Sequence, residues 1–176
     1  MFVDIYGKQK SQPVARGPER SPMALHEFVC EQRVPHPREA VFAFFSQPDN
    51  LARITPSWLG FRILTPPPLA MREGALIDYE IRLGPVPTRW RTLITAYDPP
   101  HRFVDEQLAG PYSFWHHTHE FVDEGDETLI RDHLRYVLPI GPLGELVHAL
   151  AVRRQIGRIF AHRRRVIDGL FPGGTP

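Results

Sequence analysis

Apolar and polar residues alternate along most of this chain, and stretches with helical spacing interrupt the alternation. HEFVCEQRV (26–34) is rich in β-branched and aromatic residues and predicts a first strand. Residues 35–50 follow with apolar side chains at helical spacing, and a second short helix is predicted over 48–56, ended by Pro56. The folded part is therefore expected to begin with a strand and two short helices.

From residue 57 the hydrophobic period changes to two, and turn residues such as TPPP, GPVP, DPP and AGP separate the alternating segments. Consecutive strands with connections this short predict an antiparallel meander. The six predicted strands are SWLGFRILTP (57–66), ALIDYEIRLG (75–84), PTRWRTLITAYD (87–98), HRFVDEQLA (101–109), SFWHHTHEFVDE (113–124) and ETLIRDHLRYVLP (127–139).

One long helix is predicted over residues 141–171, with glycine and proline at both ends. Its apolar stripe consists of Leu143, Leu146, Leu150, Gly157, Phe160, Ile167 and Phe171. A glycine inside a helix costs about 1 kcal/mol. Gly157 is therefore expected either to leave room for a ligand or to allow close packing against an aromatic residue of the sheet.

Length and composition suit one ordinary domain, with 176 residues of which 42% are hydrophobic and 23% charged. Residues 1–24 are expected to form a flexible tail, residues 25–171 a ligand-binding domain, and residues 172–176 a flexible C-terminus. The single cysteine, Cys30, forms no internal disulfide, and neither a signal peptide nor a membrane span is found. These features predict a cytoplasmic protein.

Three histidines stand within four positions of the segment GPYSFWHHTHEF (110–121), and strand parity decides which of them face inward. The odd face of this strand carries Trp115, His117, His119 and Phe121. In the next strand the odd positions include Arg131 and Arg135, so its even face, with Asp132, is expected to be the buried one.

The hairpin around EGD (124–126) sets the register between these two strands. A four-residue turn between residues 122 and 127 predicts the pairs Phe121–Thr128, His119–Ile130, His117–Asp132 and Trp115–Leu134. A slip of two residues would instead put Asp132 opposite His119 or Trp115. Either register places polar groups inside a mostly apolar face.

Such an inward face is too polar for an ordinary core, because buried polar groups need partners. A cavity in which a few polar groups converge among aromatic residues supplies those partners, and small-molecule sites are built in this way. The predicted ligand-binding residues are Tyr79, Trp90, Gln107, Trp115, His117, His119, Asp132, Tyr136 and Gly157.

Four stretches carry a family resemblance: HPREAVFAFFSQPDNLARITPSWLGFRIL (36–64), RWRTLI, RFVDEQLAGPYSFWHHTHEF and DHLRYVLPIGPLG. Over about residues 25–170 the chain resembles the START/Bet v 1-like superfamily, in its bacterial polyketide cyclase/dehydrase and ubiquinone-binding-protein-like branch. The resemblance implies an α+β helix-grip fold, in which a seven-stranded antiparallel curved sheet wraps on a long C-terminal helix and encloses a hydrophobic cavity. It implies no fixed set of catalytic residues.

The predicted function is non-covalent binding of a small hydrophobic ligand such as a lipid, a quinone or a polyketide-like molecule. One alternative is a cyclase or dehydratase in which His117 and Asp132 perform acid–base chemistry, with Tyr136 as a further catalytic candidate. The same residues also fit a structural network that shapes the pocket, since buried titratable groups are often structural. Binding is therefore favoured over turnover.

The same residues also raise the possibility of a metal site. His117 and His119 could be two ligands and Asp132 a third, but zinc sites need three or four ligands with supporting hydrogen bonds, and Cys30 is remote in sequence. No metal and no cofactor are therefore expected. His116 and His133 are expected at the surface.

The charge of the chain indicates which macromolecular partners it could bind. The net charge of +1 gives no strong attraction to nucleic acid, and no nucleic-acid-binding motif is found. A run of charge on a helix is usually its solvated face, but a lipid carrier could use it for transient contact with anionic membranes. The arginines concerned are Arg153, Arg154, Arg158, Arg163, Arg164 and Arg165. The sequence predicts no oligomeric state.

Overall fold

The structure is a computed structural model that describes residues 23–139, 141–147 and 151–173. Most of the expected N-terminal tail and the last three residues lie outside this range. The strands are β1 His26–Val34, β2 Arg62–Ile63, β3 Leu76–Leu83, β4 Val86–Asp98, β5 Arg102–Ala109, β6 Phe114–Asp123 and β7 Thr128–Val137. The helices are α1 Arg38–Phe45, α2 Pro48–Ile54, α3 Gly141–Val147 and α4 Arg153–Leu170.

The strands form one antiparallel sheet in the order β1-β7-β6-β5-β4-β3-β2, so the predicted meander is confirmed. β1 pairs with β7 and extends the meander at its far end. The strand predicted over 57–66 is reduced to Arg62–Ile63, because Ser57–Leu59 forms a 3-10 turn that Gly60 ends in a left-handed conformation. The predicted α+β helix-grip architecture of seven antiparallel strands with a C-terminal helix is confirmed.

The C-terminal helical region differs from the single helix predicted over 141–171. It comprises α3 and α4, and residues 148–150 between them lie outside the described residues. Leu143 and Leu146 are each 54% exposed, so they do not belong to an inward stripe. The buried stripe of α4 is Ile156, Phe160, Arg163 and Ile167. In the described part of the chain, no helix is both long enough and apolar enough to cross a membrane.

The hydrophobic core lies between the concave face of the sheet and the helices. Val41, Phe42 and Phe45 of α1 are buried, and they pack with Phe121 of β6 and Ile167 of α4. A second cluster joins β7 to α4 through Leu134, Tyr136, Ile156 and Phe160. A third lies on β3 and β4 around Ile77 and Ile94. These clusters leave a space between them that holds the site described below.

The register of β6 and β7 differs by two residues from the predicted one. His119 stands opposite Asp132, and His117 stands opposite Leu134. The connection is shorter than expected, because Gly125 adopts a φ of 85° and the Glu124 N–H donates to the Glu127 carbonyl at 2.9 Å. A shift of two residues preserves the faces, so the predicted inward direction of the histidines is confirmed.

Candidate functional site

A cavity of about 220 Å³ lies between the sheet and helices α1, α2 and α4. Most side chains that line it are aliphatic or aromatic, and they come from all three core clusters. Five of the predicted ligand-binding residues line it: Tyr79, Trp90, Trp115, His117 and His119. The site is therefore an apolar space with a small polar section in its wall.

Aromatic side chains on neighbouring strands form one wall of the cavity. Tyr79 of β3 stacks on Trp90 of β4, with ring centroids 5.7 Å apart, because the two residues are paired across the strands. Trp115 meets Trp90 edge-on at 5.0 Å. Trp90 is only 4% exposed, and its Nε1 has no hydrogen-bond acceptor among the described residues. This wall therefore offers flat apolar faces and one unpaired donor.

Five charged or titratable residues, the polar cluster, come together where β5, β6, β7 and α4 meet: Asp105, His117, His119, Asp132 and Arg163. His117 Nε2 lies 3.0 Å and Arg163 Nη1 3.1 Å from Asp132 Oδ1. His119 Nε2 lies 2.7 Å and His117 Nδ1 3.6 Å from Asp105 Oδ2. His119 Nδ1 is 3.0 Å from Asp132 Oδ1, but this approach is too bent to be a hydrogen bond.

The charges of the polar cluster hold its carboxylates ionised despite their burial. Burial by itself would raise the pKa of Asp132, but Arg163 and the adjacent imidazoles of His117 and His119 hold that pKa well below its ordinary value. Burial opposes ionisation of Asp105 in the same way, and the hydrogen bond from His119 with the nearby imidazole charges lowers its pKa. Both side chains therefore act as acceptors.

The pKa values of the two imidazoles, His117 and His119, are shifted in opposite directions. Burial and the neighbouring His119 lower the pKa of His117, and its contacts with the carboxylates only partly offset this. Burial would also lower the pKa of His119, but its interactions with Asp105 and Asp132 raise it above the ordinary value. The polar cluster therefore holds one neutral imidazole beside one that readily carries a proton.

Arg163 is not part of a solvated surface, contrary to the sequence-based expectation. It is 9% exposed, and its guanidinium lies 4.8 Å from the ring centroid of Phe45 and 5.5 Å from that of Phe160. Its position three residues after Phe160 places it on the inward stripe of α4, and this spacing was a signal in the sequence. The other five arginines named for membrane contact are exposed.

Four predicted ligand-binding residues do not line the cavity. Asp132 lies behind the histidines, and Tyr136 packs behind Trp115. The Gln107 amide bonds the backbone of Tyr112 at 2.7 and 3.3 Å and so fixes a loop. These residues support the wall of the cavity from outside.

Gly157 is the fourth of these residues, and it is not packed closely. A Cβ added at this position would meet no atom within 4 Å, so close approach to an aromatic residue of the sheet does not explain it. Ile156, Ile159 and Phe160 of the same helix line the cavity instead.

Asp105 is the principal site residue that sequence reasoning missed. It shares the inward face of β5 with Phe103, and strand parity alone indicated that direction. Cys30 is also closer to the site than its sequence position suggested, because it is paired with Asp132 across β1 and β7. His116 lies on the outer face, where its Nδ1 is 2.8 Å from Glu106 Oε1, and His133 is half exposed.

Comparison with known proteins agrees with this architecture. The solved structure of norcoclaurine synthase from Thalictrum flavum, in complex with dopamine and hydroxybenzaldehyde, is 16% identical and matches 96% of this chain and 99% of that chain at a TM-score of 0.63. An aromatase/cyclase from Streptomyces sp. R1128 is 13% identical and matches 87% of this chain and 100% of that chain at a TM-score of 0.61. At these identities the likeness concerns the fold.

A third solved structure, major latex-like protein 151 from Panax ginseng, is 10% identical and matches 84% of this chain and 98% of that chain at a TM-score of 0.63. No functionally curated protein matches the chain. The model of one family, described as polyketide cyclase / dehydrase and lipid transport, matches residues 34–160. Because this match spans well over half of the chain, the protein belongs to the polyketide cyclase/dehydrase and lipid transport family.

Proposed function

We propose that the protein binds a small, mostly apolar ligand non-covalently in the cavity between its sheet and α4. The observation that carries the proposal is the cavity itself, because aromatic and aliphatic side chains enclose a space of about 220 Å³ and one polar section interrupts them. Small-molecule sites combine these same two features. Burial of apolar ligand surface would supply most of the binding free energy.

The size of the cavity favours a compact ligand. Small-molecule pockets commonly enclose roughly 300–1,000 Å³, and this one holds about 220 Å³. The stacked pair Tyr79 and Trp90 offers a flat face to a ring system. We therefore favour a ring-bearing ligand of the quinone or polyketide type over a long acyl chain.

The unpaired donors in the wall indicate which polar group such a ligand carries. Trp90 Nε1 and Arg163 Nη2 are buried and have no acceptor among the described residues, and both residues line the cavity. A buried donor without a partner costs about 1–3 kcal/mol. A ligand with a carbonyl or similar acceptor oxygen would satisfy one of these donors, so we propose an apolar ligand with at least one such oxygen.

The test uses two substitutions at neighbouring positions of β3. Ile77 is buried and lines the cavity, whereas Leu76 is 48% exposed on the other face. The probe is acetylnaphthalene, a ring system with one acceptor oxygen. Ile77→Trp would fill part of the cavity and is expected to reduce binding of this probe at least about tenfold. Leu76→Trp is expected to leave its binding unchanged. Equal binding in both variants, measured by titration with melting temperatures as the folding control, would place the ligand elsewhere. Native mass spectrometry of gently isolated protein then identifies the natural ligand.

Turnover by the buried His117–Asp132 pair is the second candidate, as in a cyclase or dehydratase. Its support is that His117 lines the cavity and hydrogen-bonds Asp132 at 3.0 Å. The second nitrogen of His117, however, lies 3.6 Å from Asp105 Oδ2. Because both ring nitrogens lie beside carboxylates, we favour binding over proton abstraction. Formation of a product from the identified ligand by the wild-type protein would instead support turnover.

Membrane docking by a lipid carrier is the third hypothesis, and the structure changes the residues involved. With Arg163 buried, the candidate surface consists of Arg153, Arg154, Arg158, Arg164 and Arg165. Arg158 lies 5.3 Å from the ring centroid of the exposed Trp58. Cosedimentation with phosphatidylserine vesicles, lost after Arg154→Glu with Arg158→Glu, would support this hypothesis, and wild-type protein that stays in the supernatant would reject it.

A further inference from the structure

Two imidazoles and one carboxylate converge at the polar section of the cavity wall. One nitrogen each of His117 and His119 and one carboxylate oxygen of Asp105 lie within 4.8 Å of one another. We propose that these three side chains bind a divalent transition-metal ion of the Zn²⁺ type, which goes beyond the proposed binding of an apolar ligand.

The donor set suits such an ion. Imidazole and carboxylate are ordinary zinc ligands, and sites with two histidines and one acidic residue keep a further coordination position open. His117 and His119 are two positions apart on β6 and share its inward face. Asp105 is paired with His117 across β5 and β6, so the sheet itself holds the three donors together.

The distances are close to those that a metal ion requires. Donors about 2.1 Å from a tetrahedral ion stand about 3.3–3.4 Å from one another. Asp105 Oδ2 is 3.6 Å from His117 Nδ1 and 2.7 Å from His119 Nε2. The second distance must widen by less than an ångström, and the donor nitrogens of His117 and His119 lie within 4.8 Å of each other.

Asp132 stands where a supporting carboxylate is expected. Histidines that bind a metal usually direct their other ring nitrogen at a carboxylate, which fixes the tautomer and the ring orientation. Asp132 Oδ1 is hydrogen-bonded to His117 Nε2 at 3.0 Å. The same oxygen lies 3.0 Å from His119 Nδ1, without a hydrogen bond between them. Neither of these nitrogens is the one that approaches Asp105. Arg163 Nη1 approaches the same oxygen at 3.1 Å.

The contact between His117 and Asp105 is also suited to a bound cation. His117 Nδ1 and Asp105 Oδ2 lie 3.6 Å apart, which is too long for a hydrogen bond. A ring nitrogen and a carboxylate oxygen at this separation can both donate a lone pair to one ion.

The open coordination position would face the cavity, since Asp105, His117 and His119 all line it. A water molecule or an acceptor oxygen of the ligand could occupy this position. The sequence indicated Asp132 as the third candidate ligand. In the fold Asp105 takes that role, and Asp132 supports the histidines.

The test begins with metal uptake by the wild-type chain. Protein stripped with a chelator is dialysed against Zn²⁺, and the bound metal is measured by elemental mass spectrometry. We expect about one equivalent, and Co²⁺ in its place should give the intense visible absorption of a four-coordinate ion with nitrogen and oxygen ligands. Uptake far below one equivalent, or a weak six-coordinate spectrum, overturns the proposal.

Variants then locate the bound ion. Asp105→Asn keeps the shape but removes the anionic ligand, and it should lose stoichiometric binding. Asp132→Asn should weaken binding about 10–100-fold. The matched control is Glu106→Gln, because Glu106 follows Asp105 on the outer face and pairs there with His116 at 2.8 Å. Uptake that survives Asp105→Asn, or that is lost only in Glu106→Gln, overturns the site. If Asp105→Asn does not fold, as judged by circular dichroism, His119→Gln replaces it with the same expected loss.

Discussion

Arg163 of α4 and Asp132 of β7 form a buried ion pair, with 3.1 Å between Nη1 and Oδ1. The pair ties the C-terminal helix to the sheet directly behind the two cavity histidines. Both residues are less than 10% exposed, so neither charge is well solvated if the other is removed. The arrangement makes the polar cluster part of the fold as well as part of the site.

Asp132→Ala should therefore destabilise the protein strongly. Loss of one partner from a buried ion pair costs about 3–5 kcal/mol, because the remaining charge stays buried without compensation. Urea unfolding measures the change in the free energy of unfolding. The double variant Asp132→Ala with Arg163→Met should recover part of the loss, since both charges are then absent. Simple addition of the two single effects would mean that the pair contributes no coupling.

Arg163 should behave differently from its neighbours on α4. Arg163→Met keeps an apolar stem but leaves Asp132 without its permanent cation, and we expect a loss of about 3 kcal/mol. Arg154→Met removes an exposed arginine of the same helix and should change the free energy of unfolding by about 0.5 kcal/mol or less. Similar values for the two variants, measured by urea unfolding, would contradict the inward placement of Arg163.

Trp90→Phe tests whether the ligand presents an acceptor to the unpaired indole nitrogen. The change keeps an aromatic ring but removes the donor, so acetylnaphthalene should bind about 2–10-fold more weakly. Ethylnaphthalene has nearly the same shape and no acceptor oxygen, and its affinity should change much less. Fluorescence titration of both compounds measures the difference, and an equal loss for both would show that Trp90 acts only through its ring.

The raised pKa of Tyr79 leads us to expect a loss of folding stability in alkaline solution. Its burial, reinforced by the charge of Asp105, raises the pKa of the phenol well above the ordinary value of 10.0, although a hydrogen bond with Thr92 opposes this. A group with a raised pKa in the folded state stabilises fully below its unfolded pKa, and this contribution is lost as pH rises above about 10. Tyr79→Phe should reduce the fall in the urea midpoint between about pH 9 and about pH 11. An identical fall in both proteins would contradict the burial of this phenol.

Substitution of glycine by alanine should destabilise the protein at position 125 and stabilise it at position 157. Gly125 has a φ of 85°, so Gly125→Ala should cost about 1 kcal/mol although no atom lies near the added carbon. Gly157 lies in α4 with equally open surroundings and no positive φ, so Gly157→Ala should stabilise by up to about 1 kcal/mol. Thermal unfolding distinguishes the two cases, and a loss at position 157 would indicate that the open space there is needed.

The inward direction of the cavity histidines could be predicted without a structure, because side chains alternate along a strand. His117 and His119 share a face with Trp115, and the arginines of the next strand identify the opposite face as the outer one. The register could not be predicted in the same way. It depends on how Gly125 closes the hairpin, and a shift of two residues leaves the hydrophobic pattern unchanged.

The contacts between residues of the polar cluster also could not be predicted from the sequence. Asp105 and His119 are 14 positions apart, and Asp132 and Arg163 lie on different elements. A run of arginines normally marks a solvated helix face, so Arg163 looked like its neighbours although its spacing from Phe160 was visible. Only the packing of α4 on the sheet selects which arginine is buried.

The order of elements, the antiparallel meander and the inward faces of the strands could all be predicted from the sequence, since they follow from local periodicity and turn residues. Tertiary packing selects which inward side chains meet, which of them line the cavity and which support it from behind. Contacts of this kind join residues far apart in the chain, and they depend on distances of a few ångströms that hydrophobic periodicity does not encode. The convergence of Asp105, His117 and His119 is the clearest case, because parity turned each side chain inward but only the folded sheet brought their donor atoms within 4.8 Å of one another.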